Sequence, residues 1–328
     1  MKKANVITAF LWLLALALAA WALKEIDFQT AWEQLLRLSA WQYGLWLALN
    51  ILVAVVSTLR WQLLIAALSS SVSLGSLLSI RLAGQTISFI TPGPQFGGEP
   101  LQVYWLYKRC ALPLHKAISS LGLDRCFELW VNFSVLLIGA AFLLLSPSMA
   151  FAQWGQITLL LFAITLAMPI AFFYVLNAPQ KLISRIRQIA NRWLTHPKLI
   201  ADTEAWQQLE WDLTSLFSQH RGTLVKALVV SVLVWGLILG ELYFLLSLLE
   251  ISASAEQFVL IAVAIRLAML LPLPGGIGTI EAALLWCFQM LDLSMSDAFA
   301  LIALMRLRDI AILLAGFISL RIVKSATP

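Results

Sequence analysis

Apolar residues along this chain come in runs too long for a soluble core. Runs at roughly 5–23, 42–66, 118–145, 155–176, 224–249 and 298–321 match the length needed to cross a hydrocarbon layer, about 20 residues. They predict six full crossings. Two further apolar regions, 74–109 and 257–291, are each split by a segment that regular helix cannot accommodate. The first break reads Thr91-Pro92-Gly93-Pro94-Gln95-Phe96-Gly97-Gly98 and the second Pro272-Leu273-Pro274-Gly275-Gly276-Ile277-Gly278. The alternation of short strands that marks a membrane barrel is absent. The pattern therefore predicts an all-α polytopic membrane protein, a single integral membrane domain over residues 1–328.

The two broken regions repeat each other. Ile80-Arg81-Leu82-Ala83 recurs as Ile265-Arg266-Leu267-Ala268, and Pro92-Gly93 with Glu99 recurs as Pro274-Gly275 with Glu281. Further along each half, Arg125 and Glu128 recur as Arg306 and Asp309. This divides the chain into a first repeat, 42–145, with its hairpin at 74–109, and a second, 224–321, with its hairpin at 257–291. Interrupted hydrophobic segments in matching halves are the best sequence pointer to a transporter's binding site.

Basic loop residues give the sidedness. Lys2 and Lys3, then Lys108, Arg109 and Lys116, then the Arg- and Lys-rich connection 177–223, then Arg321 and Lys324 all mark cytoplasmic segments, both termini included. The acidic 24–41 loop, the uncharged 146–154 loop and the flanks of the second break (Glu250, Glu256, Asp292, Asp297) fall outside. These assignments agree only if each broken region enters and leaves on one side, as a re-entrant hairpin. The two hairpins then point in opposite directions, an inverted repeat. The competing reading makes each half-segment a short span, but 97–109 and 279–291 have only 13 residues, roughly 20 Å of helix against a core of about 30 Å. Within the connection, the apolar stripe Leu182, Ile183, Ile186, Ile189, Trp193 predicts an amphipathic helix over 178–196. It rests either on the cytoplasmic leaflet or against the protein's own end. At the N-terminus, Met1-Lys2-Lys3 and the apolar run to Leu23 admit a secretory signal, but the later spans favour a retained first helix.

Composition adds exclusions. Of 328 residues, 61% are apolar and 12% charged, about half the charge of a soluble domain. The net charge of +5 belongs to the loops and gives no reason to expect nucleic acid. Cys110, Cys126 and Cys287 have no ligand spacing and imply no disulfide framework. His115, His196 and His220 lie in connections, with no HExxH, GxSxG, P-loop or dinucleotide fingerprint. No enzyme chemistry, metal or cofactor is expected.

The candidate chemistry sits in the hairpins. Irregular backbone at membrane depth must be buried in protein or line a wet cavity. The second half-helix of each hairpin starts near mid-membrane, and its free N–H groups form a ready anion site. Gly93, Gly97 and Gly98, with Gly275, Gly276 and Gly278, permit close approach of backbone to a ligand, or simply a tight turn. Glu99 and Glu281 start those half-helices, where they either cap the N-terminus or act as protonatable groups. Arg81 and Arg266, in the first half-helix of the same hairpins, are the expected cations facing them. Asp124, Arg125 and Glu128, and likewise Arg306, Arg308 and Asp309, follow in the next helix. There, i,i+3 spacing puts Arg and acid on one face. Arg60 is expected to snorkel to the cytoplasmic surface. Glu241, without a basic neighbour in sequence, must face protein or water.

Three stretches, ITPGPQFGGEPLQVYWLYKR (90–109), LGLDRCFELW (121–130) and LPLPGGIGTIEAALLW (271–286), resemble the flippase-like transmembrane domain of the lysylphosphatidylglycerol synthase family, which includes the multiple peptide resistance factor. The resemblance covers nearly the whole chain. It implies movement of a lipid between leaflets of a bacterial inner membrane, an anionic or modified phospholipid. Lysyl transfer from tRNA is not carried over, since the sequence reaches Pro328 without a soluble aminoacyl-transferase domain. With that cargo, the hairpin and repeat reading places at the lipid site Arg81, Pro92, Gly93, Gly97, Gly98, Glu99, Arg125 and Glu128, and Arg266, Pro274, Gly275, Gly276, Gly278, Glu281, Arg306 and Asp309. A partner or regulator of a lipid-synthesis enzyme, a homo-oligomer, and a small-solute or ion transporter are the alternatives.

Overall fold

The structure, a computed structural model, describes residues 28–68, 70–91, 97–146 and 203–325, with shorter helical pieces inside 10–17 and 155–170. Among these residues the fold is all helix. Helix α1 is Phe28–Arg37, α2 Ala40–Ala67, α3 Leu74–Ile90, α4 Glu99–Arg109 and α5 Leu114–Leu145. After the connection come α6 Thr203–Gln219, α7 Arg221–Leu248, α8 Ala255–Met269, a 3₁₀ turn at Pro274–Gly276, α9 Thr279–Met290 and α10 Met295–Ser325. Helices α2, α5 and α7 are each long and apolar enough to cross a membrane. Helix α10 is longer than the expected 298–321 span and carries Arg306, Arg308 and Asp309 near its middle. The expected span 5–23 lies largely, and 155–176 partly, outside the described residues, and Pro92, Gly93 and the amphipathic segment 178–196 lie wholly outside them. Two helices go beyond the sequence expectation: α1, in what reads as an outer loop, and α6, in the connection.

Local chemistry sets the helix starts. Ser39 and Ser254 each begin a helix as half of a capping box, exchanging bonds with Gln42 and Gln257. Ser73 caps α3 by accepting from the Ser76 amide at 3.3 Å. Each broken region pairs an α-helix with a shorter α-helix packed back against it, and in the second the two are joined by an irregular turn. At the second break Gly275, Gly276 and Gly278 all have positive φ, of 57°, 62° and 84°. A Cβ on Gly275 would also run into the Phe89 ring of the other hairpin. Both demands select glycine there.

The repeat is structural as well as textual. Helices α2, α3 and α5 start at Ala40, Leu74 and Leu114, and α7, α8 and α10 at Arg221, Ala255 and Met295. Each of these three starts in the second half follows its counterpart by the same interval, which pairs the positions along these helices, while the short helices α4 and α9 start one residue out of that step. On α2, Arg60 donates to Ser231 Oγ of α7 at 3.0 Å, and Asn50 donates to Glu241 Oε1 at 3.0 Å. The partner therefore moves back along α7 as α2 advances, so the two helices run antiparallel. In the common register the counterpart of Asn50 is Ser231, and that of Arg60 is Glu241. The two bonds are thus one contact made twice, as a two-fold axis requires. The outer pairings agree. Ser146 bonds Glu256, and Gly139 lies against Val263, so α5 and α8 also run antiparallel. Gly316 of α10 meets Leu82 and Thr86 of α3.

That register corrects one reading of the letters. The I-R-L-A copies equate Arg81 with Arg266, but matching the helix starts pairs Arg266 with Gln85. The two arginines are therefore one helical turn out of step.

Candidate functional site

Two clusters of charge lie in the interior. In the first half, buried Asp124 of α5 takes Arg60 Nε on one oxygen and Arg81 Nη2 on the other, at 2.7 Å each. Arg81 also donates to the Ser57 carbonyl at 3.1 Å and stacks on Trp61, 5.3 Å from the ring centroid. Arg60 is therefore no surface snorkeller: it is 2% exposed, and its stem is too deep to return a charge to solvent. The next residue of α5, Arg125, binds Glu128 at 2.7 Å and approaches Glu99 at 3.4 Å. The expected Arg81–Glu99 pair does not form. Packing of α5 brings Asp124 to Arg81, and that carboxylate captures the guanidinium.

In the second half, Arg306 binds Glu281 at 2.6 Å and Asp309 at 2.8 Å. It also reaches the Gly275 and Gly276 carbonyls at 3.2 Å each, so one guanidinium ties the broken turn to α10. Arg308 adds bonds to Asp309 at 3.2 Å and to Glu241 at 3.5 Å. Glu241 also accepts from Trp46 Nε1 at 3.1 Å and from Asn50, both on α2. The expected Arg266–Glu281 pair is absent, because Arg306 holds Glu281. Arg266 instead lies over the face of Trp235, 4.5 Å from the ring centroid, and its Nη1 points at Met269 Sδ, 3.8 Å away.

The half-helix N-termini also differ from expectation. Glu99 accepts from the Gly97 amide at 2.7 Å and Glu281 from the Gly278 amide at 2.8 Å. Ser88 accepts from the Gly98 amide at 2.9 Å. Carboxylates of the chain itself thus occupy the position reserved for a bound anion. Pro274 opens the 3₁₀ turn and is buried.

Between the clusters lies a cavity of about 270 Å³. It is lined by groups of both halves: Gln85, Arg125 and Glu128 from one, Arg266, Arg308 and Asp309 from the other. Among the sequence-derived residues, Arg125, Glu128, Glu241, Arg266, Gly275, Arg308 and Asp309 line it. Arg81, Gly97, Gly98, Glu99, Glu281 and Arg306 do not line it. They belong to the networks behind it. Sequence reasoning missed Trp235, Asn50 and Gln85. Helix packing places them there: Asn50 and Gln85 line the cavity, and Trp235 lies under Arg266.

Long apolar helices, broken hairpins in two related halves and ion pairs inside the helix bundle define an integral helical membrane protein. The family model for the lysylphosphatidylglycerol synthase TM region matches residues 6–316, and the chain belongs to that family. It is similar to a UPF0104 membrane protein of Methanothermobacter thermautotrophicus, 24% identical over 79% of this chain and 78% of the relative. A UPF0104 membrane protein of Methanocaldococcus jannaschii is 24% identical over 84% and 83%. No solved structure matches the chain.

Proposed function

We propose that the protein is a lipid translocator in which two re-entrant hairpins, inverted with respect to each other across the membrane, meet at a midplane cavity. Six full spans surround them, and both termini are cytoplasmic. The observation that carries this reading is the cavity itself, a mainly apolar space into whose wall both antiparallel halves set charged groups. Ionisable groups are expensive at that depth and are kept where they meet a polar cargo. A space of about 270 Å³ suits a headgroup, with the acyl chains left in the bilayer. The lipid is a phospholipid, the membrane a plasma membrane, and the protein performs no covalent chemistry.

Proteoliposomes carrying headgroup-labelled phospholipid, with the outer leaflet chemically quenched, test this. The wild-type protein is expected to expose inner-leaflet label faster than protein-free vesicles do, and Glu281→Gln and Arg306→Ala to slow that exposure. Equal rates with and without protein overturn the reading.

A further inference from the structure

Five interior arginines, Arg60, Arg81, Arg125, Arg306 and Arg308, each form a salt bridge with at least one carboxylate. Arg266 differs. Among the described residues no carboxylate reaches its guanidinium, and its contacts are a ring face and a thioether. A guanidinium has five N–H donors, and neither contact is a strong acceptor. The carboxylates across the cavity are already taken. Glu128 serves Arg125 and Arg60, while Glu241 serves Arg308, Trp46 and Asn50.

The two-fold register explains how this arose. The counterpart of Met305 in the first half is Asp124, the acid that neutralises Arg81. The second half thus lacks that acid. Arg266 occupies the place of Gln85, and Trp235, which supports it, the place of Ala54. Ala54, Gln85, Arg266 and Met305 all line the cavity, so the difference between the halves is expressed at its wall. Buried Trp235 carries the guanidinium over its ring face, and Arg266 lines the cavity.

We propose that Arg266 is the anion-recognition group of the cavity, and that it binds one phosphate-bearing headgroup on the second half alone, off the pseudo-two-fold axis. The proposal rests on the lipid reading only for the source of the phosphate. The cation would meet a soluble phosphate in the same way. A planar guanidinium presents two parallel N–H groups to two phosphate oxygens, which an ammonium does not.

Calorimetric titration of the purified full chain in neutral detergent provides the test. The probes are short-chain phosphatidylglycerol, short-chain diacylglycerol and inorganic phosphate, and thermal unfolding is followed for each variant. Wild type is expected to bind phosphatidylglycerol and not diacylglycerol. Arg266→Gln is expected to weaken that binding about tenfold or more, the loss typical of a charged hydrogen-bond pair. Arg266→Lys is expected to fall between. The double variant Gln85→Arg/Arg266→Gln moves the charge to the equivalent place in the first half, and is expected to regain part of the affinity. Competition by millimolar inorganic phosphate identifies a soluble ligand, and its failure to compete identifies a lipid-borne one. Wild-type affinity in Arg266→Gln, equal binding of diacylglycerol, or a folded double variant no tighter than Arg266→Gln each overturns the proposal. Because binding is read without transport, a protein that binds through Arg266 and moves no lipid refutes translocation alone.

Discussion

The two halves share one device and differ in another. In both, a hairpin glutamate at a half-helix start, an arginine on the following long helix and an acid at i+3 from that arginine form a linked set: Glu99, Arg125 and Glu128, then Glu281, Arg306 and Asp309. Around that set the charges diverge. The first half places a cation on α2, Arg60, and closes it with Asp124. The second places an acid on α7, Glu241, and closes it with Arg308. Equivalent positions thus carry opposite charge, and each is met by a partner from its own half. A fold can keep its two-fold backbone while the chemistry at its centre becomes one-sided.

The largest test of that difference is Asp124→Asn. It leaves Arg60 and Arg81 buried without their shared counter-charge, and removing one partner of a buried pair costs about 3–5 kcal/mol. Unfolding in detergent should register this as a large drop in transition temperature. Met305→Leu at the equivalent place in the second half should change stability by less than about 1.5 kcal/mol.

Next are the hairpin glutamates. Glu281→Gln weakens bonds to Arg306 and to the Gly278 amide, a loss of about 1.5–3 kcal/mol for charged hydrogen bonds. Glu99→Gln should cost less, since its arginine stands off at 3.4 Å and its side chain is 20% exposed against 7% for Glu281. Equal losses would show that the two sets are equivalent despite their geometry. The smallest effects belong to the pair of bonds related by the axis. Asn50→Ala and Ser231→Ala should each cost about 1.5 kcal/mol in the same assay, the low end for bonds to charged groups, because Glu241 and Arg60 keep other partners. A cost several times larger at one of them would mean that the axis does not relate them energetically.

Much of this is legible in the sequence, because the signals are local. Apolar run length marks α2, α5 and α7. Proline and glycine mark both breaks. The i,i+3 spacing marks Arg125–Glu128 and Arg306–Asp309. What fails is long-range choice of partner. Arg81 and Arg266 share a tetrapeptide, yet a guanidinium pairs with the acid that packing brings near, and Asp124 comes to Arg81 from another helix. Arg60 reads as a snorkelling residue because nothing in its neighbours reports that α7 lies against it. Helices α1 and α6 escape notice because their apolar residues are too few to make a span.

Where α10 crosses α3, Gly316 brings backbone close to backbone: a Cβ there would fall 2.7 Å from the Leu82 carbonyl oxygen. Gly98 presses on Gly84, and two residues turn a helix by about 200°, so this contact falls on roughly the opposite face of α3. Thr86 fills the space beside Gly316 as well, so a side chain of α3 is seated in the groove that this glycine leaves. Glycine on both faces of α3 thus sets how closely the first hairpin lies to the long helix of the other half on one side and to its own second half-helix on the other.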